Sequence, residues 1–356
     1  MQTKQTVTST VNRDDNSRSY IYDLSPADLK AWLAAHGYPA YRYGQVNHWL
    51  VRGATAAAEM TDLPQNLRED LAAAFFFDGL RLSGKYESAR DGTVKYTAKT
   101  ADEQVVEFVF MPYQKSRAVC VSSQAGCLMG CRFCASTGAG FGRNLTAGEM
   151  FAQVILAGRD RDLKIDHVTV MGIGEPLANL AAVLEFIKRL NSAQGLNISM
   201  RKITVSTCGL VPEINQLAAA DLPITLAVSL HAPNDRLRRQ IMPVANRYPL
   251  TDLMRACRAY QEQTGRRMTY EYALFHDFND RPAAAVELAN LLKKQLCHVN
   301  LIPANEIPGG HFRRAKPEAV SRFQKILTDR RIACTVRREM GADISAACGQ
   351  LRRAEL

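Results

Sequence analysis

Two hydrophobic periods divide the chain. From Ser25 to Phe77 apolar residues recur at helical spacing: Leu29, Trp32, Leu33 and His36 in one stretch, then Tyr41–Val51, then Leu67, Leu71 and Phe75 on a third helix. Ser25-Pro26-Ala27-Asp28 opens the first with an N-cap serine, a proline in the first turn and an acid at the positive helix end. His36 and His48 are expected to be packing or surface residues. Residues 79–111 change to period two, with Asp91-Gly92 as the hairpin turn between strands near 80–87 and 93–98. A third strand, 105–110, sets Glu107 on one face between Val105 and Val109. Buried there, a carboxylate would have a raised pKa and suit a proton acceptor. On pattern alone, the expectation is a solvent-facing residue on an edge strand.

From Ala118 onward, strand-length apolar runs alternate with helical ones. Strands are expected at 118–122, 167–171, 202–206, 224–229, 268–274, 298–302 and 332–336, with helices such as 146–158, 179–191, 281–295 and 316–330 between them. Thr146-Ala-Gly-Glu149 is a capping box. Repeated strand-then-helix order predicts a parallel sheet with helical crossovers. Six repeats are too few for an eight-stranded closure, so the fold class is α/β, a partial (β/α)6 barrel. The expected organisation is a flexible tail at 1–20, a small helical domain at 21–78, an antiparallel strand linker at 79–114, the partial barrel at 115–340 and a C-terminal segment at 341–356. The distinctive motifs each fall just after a strand: Met171-Gly-Ile-Gly-Glu-Pro176, Ser206-Thr-Cys-Gly209, Ser229-Leu-His231 and Asn300-Leu-Ile-Pro-Ala-Asn305. Parallel barrels build their active sites from such loops.

Composition narrows the class. With 356 residues, 47% hydrophobic and 22% charged, the chain suits about two globular domains. It has no apolar run near the ~20 residues of a membrane span, and the polar stretch Met1–Tyr20 lacks a signal-peptide core. Nine cysteines without an export signal point to a reducing, cytoplasmic location and to metal or catalytic use. A net charge of +10 and a pI near 9.2 suit a polyanionic partner. Arg236/Arg238/Arg239, Arg313/Arg314, Arg337/Arg338 and Arg352/Arg353 are candidate phosphate contacts. Charge does not say which nucleic acid.

The chemistry centres on Cys127-Leu-Met-Gly-Cys131-Arg-Phe-Cys134. Thiolates are soft ligands for iron–sulfur clusters and zinc. A closed zinc site takes four ligands, usually in two pairs, and no second pair follows within finger range. A four-iron cluster on three cysteines, with one iron left open, fits better than zinc or three ordinary buried thiols.

That stretch resembles the cluster loop of radical S-adenosylmethionine (SAM) enzymes. The wider segment from Cys120-Val-Ser-Ser-Gln-Ala-Gly-Cys127 to Gly140-Phe-Gly-Arg-Asn-Leu-Thr146, with Asp343-Ile-Ser-Ala-Ala-Cys348-Gly-Gln-Leu351, is similar to the RNA-adenine methyltransferases of the RlmN/Cfr family. The likeness runs from about Asp23 to Leu351. It implies a radical SAM barrel, a 4Fe-4S cluster on Cys127, Cys131 and Cys134, and SAM held by Gly174, Glu175, Ser206, Ser229, Leu230, His231 and Asn305. Taken alone, His231 is more often a packed residue, and G-x-G-E-P a simple turn. The resemblance makes Cys348 the methyl acceptor and Cys120 the thiol that later closes a disulfide with it. It also makes Glu107 a proton acceptor, reversing the solvent-facing expectation. Cys208, Cys257, Cys297 and Cys334 remain structural thiols.

The implied chemistry answers a problem in the substrate. Carbon 2 of adenine is an electron-poor amidine carbon with no lone pair, so polar attack on a SAM methyl is closed to it, whereas a carbon radical can add. One SAM would methylate Cys348 and a second, given an electron by the cluster, would activate that methyl. The implied substrates are adenosine 2503 of 23S rRNA and adenosine 37 of tRNAs. The implied electron donor is flavodoxin or ferredoxin, and the enzyme is expected to be a monomer without a membrane partner. Two rivals stand: a Cfr-type enzyme acting at carbon 8, disfavoured by Pro176 after Glu175, and a non-enzymatic iron–sulfur RNA-binding protein. The latter leaves Cys120, Cys348 and the SAM loops without purpose. Ser345 departs from the aspartate usual in D-I-D-A-A-C-G-Q-L.

Overall fold

The computed structural model describes residues 17–351 except 139 and 308–309. Most of the expected tail, and the Arg352/Arg353 pair, therefore lie outside the described residues. At the N-terminus β1 (Ser19–Tyr20) pairs in parallel with β2 (Phe75–Phe76). Between them lie α1 (Pro26–Ala35), α2 (Arg42–Val51) and α3 (Gln65–Ala74). The Ser25 hydroxyl accepts from the Asp28 amide at 3.1 Å, and the Asp28 carboxylate accepts from the Ser25 amide at 3.2 Å, a complete capping box. Phe75, expected on the third helix, leaves it: its backbone is extended (φ −134°, ψ 150°) and begins β2, packing edge-on against Trp32. Tertiary pairing outweighs helical spacing there.

One ten-stranded sheet follows. Its first members are β3 (Leu80–Glu87), β4 (Val94–Thr100), β5 (Val105–Tyr113) and β6 (Ser116–Val121), paired antiparallel in sequence order. A small hairpin, β7 (Gln124–Gly126) with β8 (Phe141–Asn144), brackets the cysteine loop. Then come α4 (Ala147–Arg161), β9 (His167–Val170), α5 (Leu180–Asn191), β10 (Ile203–Thr207), α6 (Val211–Ala219) and β11 (Thr225–Ser229). The chain continues with α7 (Asp235–Ile241), α8 (Leu250–Thr264), β12 (Met268–Leu274), α9 (Pro282–Leu292), β13 (Cys297–Pro303), α10 (Pro317–Asp329) and β14 (Cys334–Val336). Spatial order is β14-β13-β12-β11-β10-β9-β6-β5-β4-β3, parallel from β6 to β14.

The segment expected as a strand linker is thus built into the barrel sheet through β5–β6 pairing, with Val109 opposite Cys120. β5 has a neighbour on each side. Glu107 is therefore neither on an edge nor solvent-facing; it is completely buried. Helices cover the outer face. On α5, Val183, Phe186, Ile187 and Leu190 are fully buried at i, i+3, i+4 and i+7. Each contributes roughly 1.5–3 kcal/mol of burial. The helical domain docks on α4 and α5: Asp23 accepts from the Gly148 amide at 3.1 Å, and Arg189 donates to the carbonyls of Tyr22 and Leu24. A Cβ at Gly148 would meet the Tyr22 carbonyl at 2.4 Å, so the contact requires glycine. Among the described residues, no helix is long and apolar enough to cross a membrane.

Candidate active site at the strand ends

The loops after the parallel strands converge on a cavity of about 140 Å³. Of the residues expected from sequence, Cys134, Ser206, Ser229, His231, Asn305 and Cys348 line it. The cysteine loop, the ends of β9 to β14 and the C-terminal segment meet there, so the shared rim of the sheet has assembled the site.

Gly174, Glu175 and Leu230 do not line this cavity; they brace it. The Glu175 carboxylate accepts from the amides of Leu177 (3.1 Å) and Cys208 (2.7 Å), and its own amide donates to Gln124 Oε1 at 2.8 Å. Burial pushes its carboxyl upward, and those donors oppose the rise. Gly174 has φ +108°, and a Cβ there would lie 2.6 Å from the Gln124 side chain, so this loop needs glycine twice over. The Leu230 amide donates to Glu271 O at 3.0 Å.

His231 sits at φ +54°, its Nδ1 accepting from the Ala273 amide at 2.9 Å and its ring set edge-on to Phe133. That bond assigns the proton to Nε2. Burial, then the charge of Arg238, lowers its pKa to about 3. The unfolded chain takes up this proton below pH ~6.5 and the folded chain does not, so the associated stability is present above that pH and lost as pH falls toward about 3. Between pH 6.5 and 4.5 the wild-type protein is expected to lose roughly 2 kcal/mol more stability than His231→Gln, read by urea denaturation.

The three loop thiols are half-buried. Burial raises all of them, Cys127 to about 11, and the nearby Cys134 and Cys127 raise Cys131 further. Such a group resists ionising until a cation arrives, and coordination deprotonates a thiol outright. Among the described residues no three His, Cys, Asp or Glu converge closely enough to hold a single metal ion. This argues against a closed zinc site. A cluster is different, because each cysteine binds a different iron. The residues present fit a cluster.

The C-terminal segment is fastened over this loop. The Ala135 amide donates to Gly349 O at 2.8 Å, the Ser136 hydroxyl to Leu351 O at 2.7 Å, and Asn305 Nδ2 to Cys348 O at 3.1 Å. These bonds bring Cys348 to the same cavity as Cys134. Cys120, on β6, packs with Val109, Ile173, Ala346 and Leu351 beneath the segment. Burial, then the Cys348 charge, pushes its thiol up to about 11. Ser345 lies just ahead with φ +52°, a left-handed conformation that aspartate enters more readily than most residues. Glu107 shares the sheet face of Cys120, two residues from Val109, and lies 3.5 Å from Lys95 Nζ with both side chains buried.

Several contributors were missed or misread. Arg337, flagged as a phosphate contact, turns inward: its Nη1 lies 3.9 Å from Glu271 Oε2, and the Cys348 charge is the leading influence that holds it protonated. Arg238, flagged likewise, is fully buried and donates to the carbonyls of Cys208, Ser229 and Leu230. Glu271 in Met268-Thr-Tyr-Glu-Tyr-Ala-Leu274 carried the same signal as Glu107, a carboxylate inside an apolar strand.

Comparison with known proteins agrees with this geometry. Residues 121–289 match the Radical SAM superfamily, and residues 20–76 match the ribosomal RNA large subunit methyltransferase N-terminal domain. The chain is 52% identical over 338 residues to the probable dual-specificity RNA methyltransferase RlmN of Pelotomaculum thermopropionicum, covering 94% of this chain and 92% of that one. It is 46% identical to the protein of the same name from Alkaliphilus oremlandii, covering 94% and 98%. The crystal structure of a radical SAM methyltransferase from Sphaerobacter thermophilus superposes with a TM-score of 0.91 at 46% identity, over 94% of this chain and 99% of that one. A strand-end cavity walled by a three-cysteine loop and a docked C-terminal cysteine, behind a matching N-terminal helical domain, places the chain in the RlmN family of radical SAM RNA methyltransferases.

Proposed function

We propose that this enzyme methylates carbon 2 of adenosine 2503 in 23S rRNA and of adenosine 37 in tRNAs, with Cys348 carrying the one-carbon unit. The observation that carries the reading is the meeting of Cys348 with Cys134, Ser206, Ser229, His231 and Asn305 around one cavity. Bound there, a 4Fe-4S cluster on Cys127, Cys131 and Cys134 and SAM supply the methyl group and the one-electron chemistry that an amidine carbon demands. Ser206 and Ser229 offer hydroxyl groups, His231 an Nε2 donor and Asn305 an amide, the partners that ribose, carboxylate and adenine edges require. Gly174, Glu175 and Leu230 contribute backbone and hold the loops in register.

Cys348 acts first as nucleophile and takes a methyl group on sulfur. Once that carbon is joined to the adenine, the hydrogen at carbon 2 must leave as a proton, and Glu107 is assigned as its acceptor. Cys120 then attacks the Cys348 sulfur and breaks its bond to carbon; that carbon takes up a proton to become the methyl group, the unpaired electron of the adduct would return to the cluster, and a disulfide between the two cysteines is left. A thiol or redox protein must reduce it before the next turnover. A flavodoxin or ferredoxin as electron donor, action as a monomer and a cytoplasmic location complete the proposal.

The test is regiochemical. Nucleosides from 23S rRNA and tRNA treated with reduced holoenzyme and SAM are expected to co-elute with 2-methyladenosine. 8-Methyladenosine as the main product would move the enzyme to the Cfr type. Absence of 5′-deoxyadenosine on mixing reduced protein with SAM would remove the radical reading altogether.

A further inference from the structure

The sheet face that carries Cys120 also carries a buried cation with no part in the chemistry described so far. Lys95 on β4 lies opposite Val109 of β5, which lies opposite Cys120 of β6, so Lys95, Val109 and Cys120 form one row across the sheet. Glu107 occupies the adjacent row, opposite Thr97. Lys95 Nζ lies 3.5 Å from Glu107 Oε1, with both side chains only 1% exposed. Lysine is almost never so completely buried unless paired. Leaving either charge in such a place without the other is strongly unfavourable. The position therefore selects for the pair rather than for packing, which an apolar residue would serve better.

We propose that Lys95 is the positioning residue of the proton acceptor: its ammonium keeps Glu107 ionised inside the protein, so that the carboxylate can take the carbon 2 proton at neutral pH. This rests on the reading of Glu107 as the base. Alone in a buried site, a carboxyl group gains a proton and ceases to be a base; an opposite charge within ~4–6 Å reverses that. In the step itself the proton passes from carbon 2 to the carboxylate, the C–H electron pair stays with the ring, and Lys95 remains an ammonium throughout. It neither touches the adenine nor exchanges its proton.

Of the cations on this face, Lys95 is the one set 3.5 Å from Glu107 with both side chains buried. On β3, Tyr86 lies opposite Lys95 and presents its ring 5.2 Å from Nζ. On β4 the neighbours on that face are Thr97 and, two residues further, the part-exposed Lys99, whose Nζ lies 3.8 Å from Glu103; on β6 it is Cys120, and on β9 it is Thr169, which pairs with Cys120. The β7–β8 hairpin that packs on β5 carries Arg143, which is taken up by Asp102 and Glu149 at 2.6 Å each. Lys85 belongs to the opposite face, where it pairs with Asp160.

The experiment compares Lys95→Met, Lys95→Arg and Glu107→Gln as holoenzymes in single turnover on 23S rRNA fragments across pH. Two readouts are followed: S-methylation of Cys348 by mass spectrometry, and release of methylated RNA. Lys95→Met is expected to methylate Cys348 normally. At pH 7 it should release product at least tenfold more slowly, with covalent protein–RNA adduct accumulating, and its acidic limb should move up by about one pH unit or more, so that alkaline buffer restores release. Lys95→Arg keeps the charge and is expected to keep the wild-type profile. A Lys95→Met enzyme with an unshifted limb would overturn the proposal, as would equal slowing at every pH or loss of Cys348 methylation, both of which mark a structural role. Glu107→Gln separates the underlying reading. If it releases RNA at the wild-type rate, Glu107 is not the base; if it stalls while Lys95→Met is unshifted, only the role of Lys95 fails.

Discussion

Cys348→Ala is expected to leave RNA entirely unmodified, whereas Cys120→Ala is expected to halt with protein covalently joined to RNA. The two thiols occupy different positions, and the difference in outcome follows from that. Cys348 lines the cavity with Cys134, Ser206, Ser229, His231 and Asn305, flanked by Ala347 and Gly349, whose small size lets a large substrate approach the sulfur. Without it no atom accepts the methyl group, and no carbon bond to RNA forms. Cys120 lies beneath, buried among Val109, Ile173, Ala346 and Leu351, with burial pushing its thiol up to about 11. A buried thiol of that kind is a poor nucleophile toward an external reagent and suits a single partner brought to it. Cys120→Ala retains Cys348, Cys127, Cys131, Cys134 and Glu107, so on the proposed reading methylation of Cys348 and attachment to adenine proceed. What it lacks is the sulfur that breaks the Cys348–carbon bond. The adduct should survive denaturation, disappear with ribonuclease and resist reducing agent, because thiol–disulfide exchange does not open a thioether. Free methylated RNA in normal amount from Cys120→Ala would return Cys120 to a structural role.

Replacing Cys127, Cys131 or Cys134 by Ala is expected to abolish both the brown chromophore and RNA methylation, while circular dichroism stays native. Backbone contacts outside the thiols help to set the path of the loop. Arg132 N donates to Ile241 O at 2.9 Å, and Ala135 N donates to Gly349 O. At Gly126 (φ +94°) a Cβ would lie 1.9 Å from Gly140 O, so glycine closes the base of the hairpin. These are backbone contacts that an alanine at any of the three cysteines leaves in place. Iron content, visible absorption and adenosine analysis read the outcome. A triple variant that still methylates RNA would end the radical account.

Much of this was legible along the chain because the responsible forces are short-ranged. Ser25 and Thr146 cap their helices through residues three positions away, and both capping boxes stand in the fold. The strands from 118 to 336 were readable as apolar runs, and the cysteine spacing already argued for a cluster over zinc. Rim location followed too, since a parallel sheet with helical crossovers places every post-strand loop on one side.

Tertiary structure decided what lay beyond such windows. Period two says that Glu107 and Val109 share a face, but not which face is covered. β4, β6 and the C-terminal segment settle that, turning an expected edge residue into a buried charge paired with Lys95. Arg238 and Arg337 looked like surface cations because charge is usually solvated; each is drawn inward by an acceptor distant in the chain, the Cys208 carbonyl for one and Glu271 for the other. Cys348 reaches the cluster loop through bonds such as that from Ser136 to Leu351, 215 residues apart in the chain. Local periodicity determines how a segment coils and which of its residues face the same way. Which side is buried, and what a buried charge is set against, depends on contacts that exist only once distant segments have closed on one another.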